Sequence, residues 1–157
     1  QKVKRKAKPS ELIDLGHVGL VSSINPQILT DMDHSTFIPV IAPVGVSPEG
    51  ESLNINADYV AAAVAASVMA EKLVLMTDIE GVKDSQGQVL SHLNLKNMAD
   101  MIDEGVVSGG MIPKLKCASE AVKQGVHTAH IIDGRITHAL LLEIFTDQGV
   151  GTLIQTG

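Results

Sequence analysis

Ser108-Gly109-Gly110-Met111-Ile112-Pro113-Lys114 places a glycine-rich bend directly ahead of an amphipathic helical pattern. Backbone N–H groups at such a junction, backed by the positive end of the helix dipole, suit an anion such as phosphate. Lys114 adds a full positive charge in the first turn. Together these features point to phosphoryl-transfer chemistry. The G-x-x-x-x-G-K-[ST] pattern is absent, so a phosphate cradle here is of another kind. Two further segments stand where an α/β sheet builds its ligand crevice, at strand ends. In Leu53-Asn54-Ile55-Asn56-Ala57-Asp58, Asn54 offers a neutral donor and acceptor and Asp58 a carboxylate. The same run also reads as a helix entry, with Asn56 as cap and Asp58 favoured by the dipole. Thr77-Asp78-Ile79-Glu80-Gly81-Val82 follows an apolar run and offers backbone groups to a purine or phosphates; it also reads as a plain turn.

The elements that must position these residues alternate between strands and helices. Residues 18–24 and 37–42 read as strands, with Asn25-Pro26 opening a short helix to about Met32. Ser47-Pro48-Glu49-Gly50 is a turn between two arms, the second covering 51–55. An alanine-rich helix over 57–70 has no charge between Val60 and Val68, which predicts burial on most sides. Residues 73–76 are a buried strand, and Ser85-Gln86-Gly87 turns a small hairpin between Val82 and Val89. Leu95, Met98, Ala99 and Ile102 follow helical spacing between Asn94 and Gly105 as caps. The helix after the Gly-Gly bend carries Leu115, Ala118 and Val122 on one face and ends near Gly125. A strand over 129–132, a helix over 139–145 and a strand over 151–154 complete the chain. The expected fold is α/β, a three-layer sandwich whose mainly parallel sheet is covered by helices on both faces.

Composition narrows the partners. The 157 residues are 45% apolar, yet Phe37, Tyr59 and Phe145 are the only aromatics. The net charge of −6 hides an asymmetry, because Lys2, Lys4, Arg5, Lys6 and Lys8 cluster at one end. Residues 9–157 hold seven basic residues against eighteen acids, a balance of −11. Such a body repels nucleic acid and lacks stacking platforms. The basic head reads as a solvated edge strand or hairpin arm. No apolar stretch approaches the roughly 20 residues of a membrane helix, so no membrane partner is expected. The single cysteine, Cys117, fits a reducing, cytoplasmic setting and packs as a small apolar residue. The six histidines suggest no metal site. Beginning without methionine inside a charged run, the chain reads as a fragment or processed product.

DLGHVG (14–19), NPQIL (25–29), IPVIAPVG (38–45), LNINAD (53–58), EKLVLMTDIEGV (71–82) and SGGMIPK (108–114) occur in this order. The series resembles the amino acid kinase family, in its N-acetylglutamate kinase branch, and specifically the C-terminal ATP-binding portion. The resemblance implies residues 1–157 as one nucleotide-binding lobe, with the N-terminal substrate lobe outside it. It implies transfer of the γ-phosphoryl of ATP, held with Mg²⁺, to the γ-carboxylate of N-acetyl-L-glutamate in arginine biosynthesis. By matching motifs, Lys114 stabilises the transferring phosphoryl and Asp58 orients the catalytic lysines. Asn54 binds the acetylated substrate. Thr77, Asp78, Gly81, Val82, Val106, Val107 and Ser108 line the nucleotide. The family's glycine-rich segment, second catalytic lysine and substrate-binding arginine match nothing in these residues, and Leu53 stands where a tyrosine is common. The lobe alone is therefore expected to be inactive.

Glu143 sits in Ala139-Leu140-Leu141-Leu142-Glu143-Ile144-Phe145, where a carboxylate needs either an exposed stripe or a partner; exposure is the plain expectation. The segment also resembles that of arginine-inhibited members, which implies L-arginine as inhibitor at His130, Glu143 and Gly149. The same branch implies a homo-oligomer and, in some members, a PII-type signalling partner. Other amino acid kinases (carbamate, aspartate or glutamate 5-kinase types) and a non-catalytic arginine-sensing or assembly module are the alternative readings.

Overall fold

The computed structural model describes residues 2–4, 12–14, 16–32, 36–146 and 149–157. The chain divides into two compact units, Gln1–Val60 and Ala61–Gly157. In the first, β1 (Lys2–Lys4) pairs antiparallel with β2 (Leu12–Asp14), which places Lys2 and Lys4 on a strand; Arg5, Lys6 and Lys8 lie outside the described residues. Helix α1 (Gln27–Met32) begins where Asn25 Oδ1 accepts from the Gln27 N–H at 3.1 Å, with Pro26 just ahead. β3 (Val44–Val46) and β4 (Ser52–Asn54) form a hairpin, its turn closed by the Gly50 N–H donating to the Ser47 carbonyl at 2.9 Å.

Two expected strands are not formed. Residues 18–24 make one bridge, Val18 to Asn54, and then leave the ladder. Residues 37–42 form no strand, and Val40 is 95% exposed. Both runs have the composition of strands, but a strand also needs a neighbouring edge in register, and propensity carries no information about one.

Helix α2 (Ala57–Ser67) starts under Asn56, whose Oδ1 accepts from the Asp58 N–H at 2.9 Å. It ends three residues before Ala70, where Met69 turns to φ +51. Only Ala62 and Ala65 are buried in it, not most sides, because an evenly apolar helix names no inward face.

The second unit is built on one four-stranded sheet, in the order β5-β7-β8-β6. β5 (Lys72–Thr77) runs parallel to β7 (Thr128–Asp133), and β6 (His92–Asn94) runs parallel to β8 (Gly151–Gln155). β7 and β8 meet antiparallel, so two of the three pairings are parallel. A small hairpin at 82–90 bridges Lys83 to Val89, as its turn residues predict. Helix α3 (Leu95–Asp103) is capped by Asn94, whose Oδ1 accepts from the Asn97 N–H at 2.8 Å. Helices α4 (Met111–Lys123) and α5 (Ala139–Phe145) follow.

Every residue of β7 is buried, as a strand covered on both faces must be. Ala129 and Ile131 join Leu73, Leu75, Ile154 and the α4 residues Leu115, Ala118 and Val122 in the core. His130, on the opposite face, meets α5. Helices thus cover both faces of the sheet. No helix among the described residues is long and apolar enough to cross a membrane.

Candidate functional site

β5 and β7 end side by side, Thr77 opposite Asp133. Helix α4 leads through the short connection 124–127 into β7. Its thirteen residues span about 20 Å, close to the length of six strand residues. Packed along the sheet, α4 therefore starts at the edge where β5 and β7 finish. By this length the Gly109–Lys114 bend stands at the same end of the sheet as the start of the 78–82 loop and the loop after Asp133.

At the bend, Gly109 has φ +61 and Gly110 φ −69, a change of hand that turns successive N–H groups to one side. Gly110 caps α4 with no side-chain hydrogen bond, and a Cβ at either glycine meets nothing within 4 Å. The first N–H groups of the helix are thus reachable by an anion. Lys114 is half-buried, between the buried Met111 and Leu115. Just upstream in the chain, the Val106 and Val107 N–H groups donate to the Met101 carbonyl, Val107 is buried and Ser108 is exposed.

In the 78–82 loop, Thr77 is half-buried and its hydroxyl donates to Asp78 Oδ1 at 3.3 Å, while Asp78 itself is exposed. Gly81 and Val82 are buried: the Val82 N–H donates to Thr152 Oγ1 at 2.9 Å. A Cβ on Gly81 would meet that same oxygen at 2.9 Å. The loop is therefore anchored to β8 at its far end and open at its start.

Asn54 and Asp58 lie in the first unit. Asn54 uses its backbone N–H and carbonyl on His17 and Gly19, which leaves its amide exposed on β4. Asp58 is half-buried in the first turn of α2, where Asn56 performs the capping.

Glu143 is not on an exposed stripe. Its side chain is 6% exposed, and Oε1 lies 2.6 Å from His130 Nδ1. Its Oε2 accepts from the Val150 N–H at 2.7 Å, and His130 Nε2 sits 3.0 Å from the Thr128 hydroxyl. Gly149, at φ +57, leaves room that a Cβ would take, 3.1 Å from Oε2. Helical periodicity around Glu143 shows only apolar neighbours; the partner comes from a strand thirteen residues upstream. His130, Glu143 and Gly149 form one cluster.

Sequence reasoning passes over Asp133 and Arg135. Asp133 ends β7, nearly buried, and accepts from the Arg135 backbone N–H, Nε and Nη2 at 2.9, 2.9 and 2.7 Å. The Arg135 side chain, and then its backbone N–H, hold the Asp133 carboxyl down to about 2. An acid two residues before an arginine, just past an apolar strand, is the signal that marks such a pair.

At this end of the sheet an α/β core carries a helix N-terminus without a side-chain cap, the form of an α/β ligand crevice. The pattern of the Amino acid kinase family matches residues 2–133, and the chain belongs to that family. Within it, the similarity is to acetylglutamate kinases: that of Persephonella marina is 56% identical over 147 residues, 94% of this chain and 49% of the relative. The chain spans about half the length of the curated relatives it matches. Among solved structures, N-acetylglutamate synthase from Neisseria gonorrhoeae, complexed with coenzyme A and L-arginine, matches with a TM-score of 0.85. Its identity is 27%, over 92% of this chain and 34% of that one. Carbamate kinase from Giardia lamblia bound to AMP-PNP shares the fold, at a TM-score of 0.56 and 18% identity over 71% of this chain and 36% of that one.

Proposed function

We propose that the chain is the ATP-binding part of an acetylglutamate kinase, acting in the cytoplasm on the γ-carboxylate of N-acetyl-L-glutamate. The observation that carries this reading is the uncapped α4 N-terminus behind the Gly109–Gly110 bend, which supports a phosphate site at the end of the sheet. The residues fit a polyphosphate: the α4 N-terminus has no side-chain cap, and the space beside Gly109 and Gly110 is open. Bound with Mg²⁺, ATP supplies the phosphoryl group that the acceptor carboxylate attacks. A carboxylate is already a nucleophile near neutral pH, so the protein needs no strong base. The obstacle is the meeting of negative charges. Lys114 and the first N–H groups of α4 offset the charge on the transferring group. In the first unit, Asn54 and Asp58 are the residues to which the family resemblance gives the roles of holding the acetylated substrate and orienting a catalytic lysine. Thr77, Asp78 and Val106 to Ser108 hold the nucleotide. Calorimetric titration of the chain with Mg-ATP should give saturable binding in the high-micromolar to millimolar range. Absence of any heat at millimolar ATP would sink the reading.

A second reading, L-arginine binding at the His130–Glu143 cluster, is favoured by the geometry around that carboxylate. Among the described residues each Glu143 oxygen has one hydrogen-bond partner, and a guanidinium suits a carboxylate with acceptor capacity on both oxygens. The Neisseria protein of similar structure was solved with L-arginine, which supports the reading. The chain should bind L-arginine, and Glu143→Gln, which keeps the size and one acceptor, should weaken it about tenfold or more. Equal affinity in both proteins would remove Glu143 from the site.

A further inference from the structure

Arg135 combines exposure with immobility. Its side chain is 62% exposed, which ordinarily leaves a long cation free to roam. Here Nε and Nη2 both donate to one nearly buried carboxylate, and that carboxylate is locked again by the Arg135 backbone N–H. The guanidinium becomes a fixed plate, with Nη1 directed away from Asp133 and its faces uncovered by these bonds. Gly134 brings it in close: its N–H donates to the Thr77 carbonyl at 2.8 Å, and a Cβ there would press on Met76 at 3.3 Å. The plate therefore sits at the end of β5, beside the start of the 78–82 loop.

Its electrostatic setting decides which part of a nucleotide it suits. Asp133 neutralises Arg135 directly, and Lys83 is taken by Glu80 at 2.8 Å. Asp78 and Glu80 also act on Arg135 through their charge. Two cations facing three carboxylates do not attract a polyphosphate. They leave a neutral planar group welcome, and the neighbouring surface is apolar: Met76, Ile79 and Ile136 are all exposed. The Gly109–Lys114 bend, by contrast, offers the N–H groups of a helix whose first turn holds no acid.

We propose that Arg135, pinned by Asp133, is the plate on which the purine base of the nucleotide rests, with Met76, Ile79 and Ile136 as its apolar surround. The inference rests on the nucleotide reading above. It assigns the two ends of the ligand: base at the Arg135 loop, phosphates at the α4 N-terminus. A guanidinium stacks on an aromatic ring through its flat face, which a lysine ammonium lacks.

The test uses the full 157-residue chain, with Mg-ATP and inorganic tripolyphosphate as separate probes in calorimetry. Arg135→Ala and Arg135→Lys should each weaken ATP roughly five- to thirtyfold and leave tripolyphosphate unchanged. Lys114→Ala should weaken both probes. Thermal unfolding checks the fold, and if Arg135→Ala melts early, Arg135→Lys supplies the comparison. Unchanged ATP affinity, or parallel loss of both probes, overturns the base-binding role. Failure of the unsubstituted chain to bind ATP overturns the nucleotide reading itself, and this inference with it.

Discussion

Gly151→Ala is expected to destabilise the Ala61–Gly157 unit by about 3 kcal/mol or more, the upper range for overpacking a buried site. Gly151 opens β8 directly opposite Ile132 on β7. An added Cβ would overlap the Ile131 carbonyl and stand 2.9 Å from both Cα and Cγ2 of Ile132. The obstruction is mostly backbone, in a strand buried along its whole length, so no side-chain rotation relieves it. Relief requires β7 and β8 to move apart, and that junction joins the two parallel pairs of the sheet. Gly110→Ala is the matched control: φ is −69 and nothing lies within 4 Å of the new methyl, so its effect should stay within about 0.5 kcal/mol. Urea unfolding of the two variants checks both values. Equal midpoints would mean that the β7–β8 contact is looser than this geometry.

What was legible in the sequence follows from which forces are local. Helix α5 occupies Ala139–Phe145, the span its apolar run predicts, and Asn94 and Asn56 cap where their spacing places them. Caps, turns and periodicity are decided within a few residues, so they survive in one dimension. Residues 18–24 and 37–42 failed as strands because pairing is a long-range property. The uniform α2 sequence likewise could not say that only Ala62 and Ala65 would be buried. The site divides the same way. The Gly109–Lys114 bend is a local motif and was readable. The burial of Glu143 depended on His130 arriving from β7, and the fixing of Arg135 depended on Asp133 being at a strand end. The first is long-range, whereas the Asp133–Arg135 pair spans two residues and left a local signal that only the strand end makes meaningful.

Lys114→Ala is expected to lower kcat by about a hundred- to a thousandfold in a chimera joining this chain to the unmatched half of the Persephonella marina relative. The chain alone should show no turnover, since the second lysine and substrate-binding arginine of the family match nothing in its residues. In the chimera those groups are restored, and the effect of Lys114 can be isolated. Its position supplies the reason for the size of the loss. It sits half-buried in the first turn of α4, where water screens its charge less than at an open surface. In the role proposed for it, Lys114 meets charge on the transferring phosphoryl and its leaving oxygen that shifts most at the transition state, so its loss acts mainly on kcat. The KM for N-acetyl-L-glutamate should therefore stay near the unsubstituted value. Lys114→Arg should restore part of the rate, because the charge returns with a different shape. A rise in KM with kcat intact would instead make Lys114 a ground-state binding residue. The Gly109–Gly110 N–H groups would then be left to offset the transition-state charge.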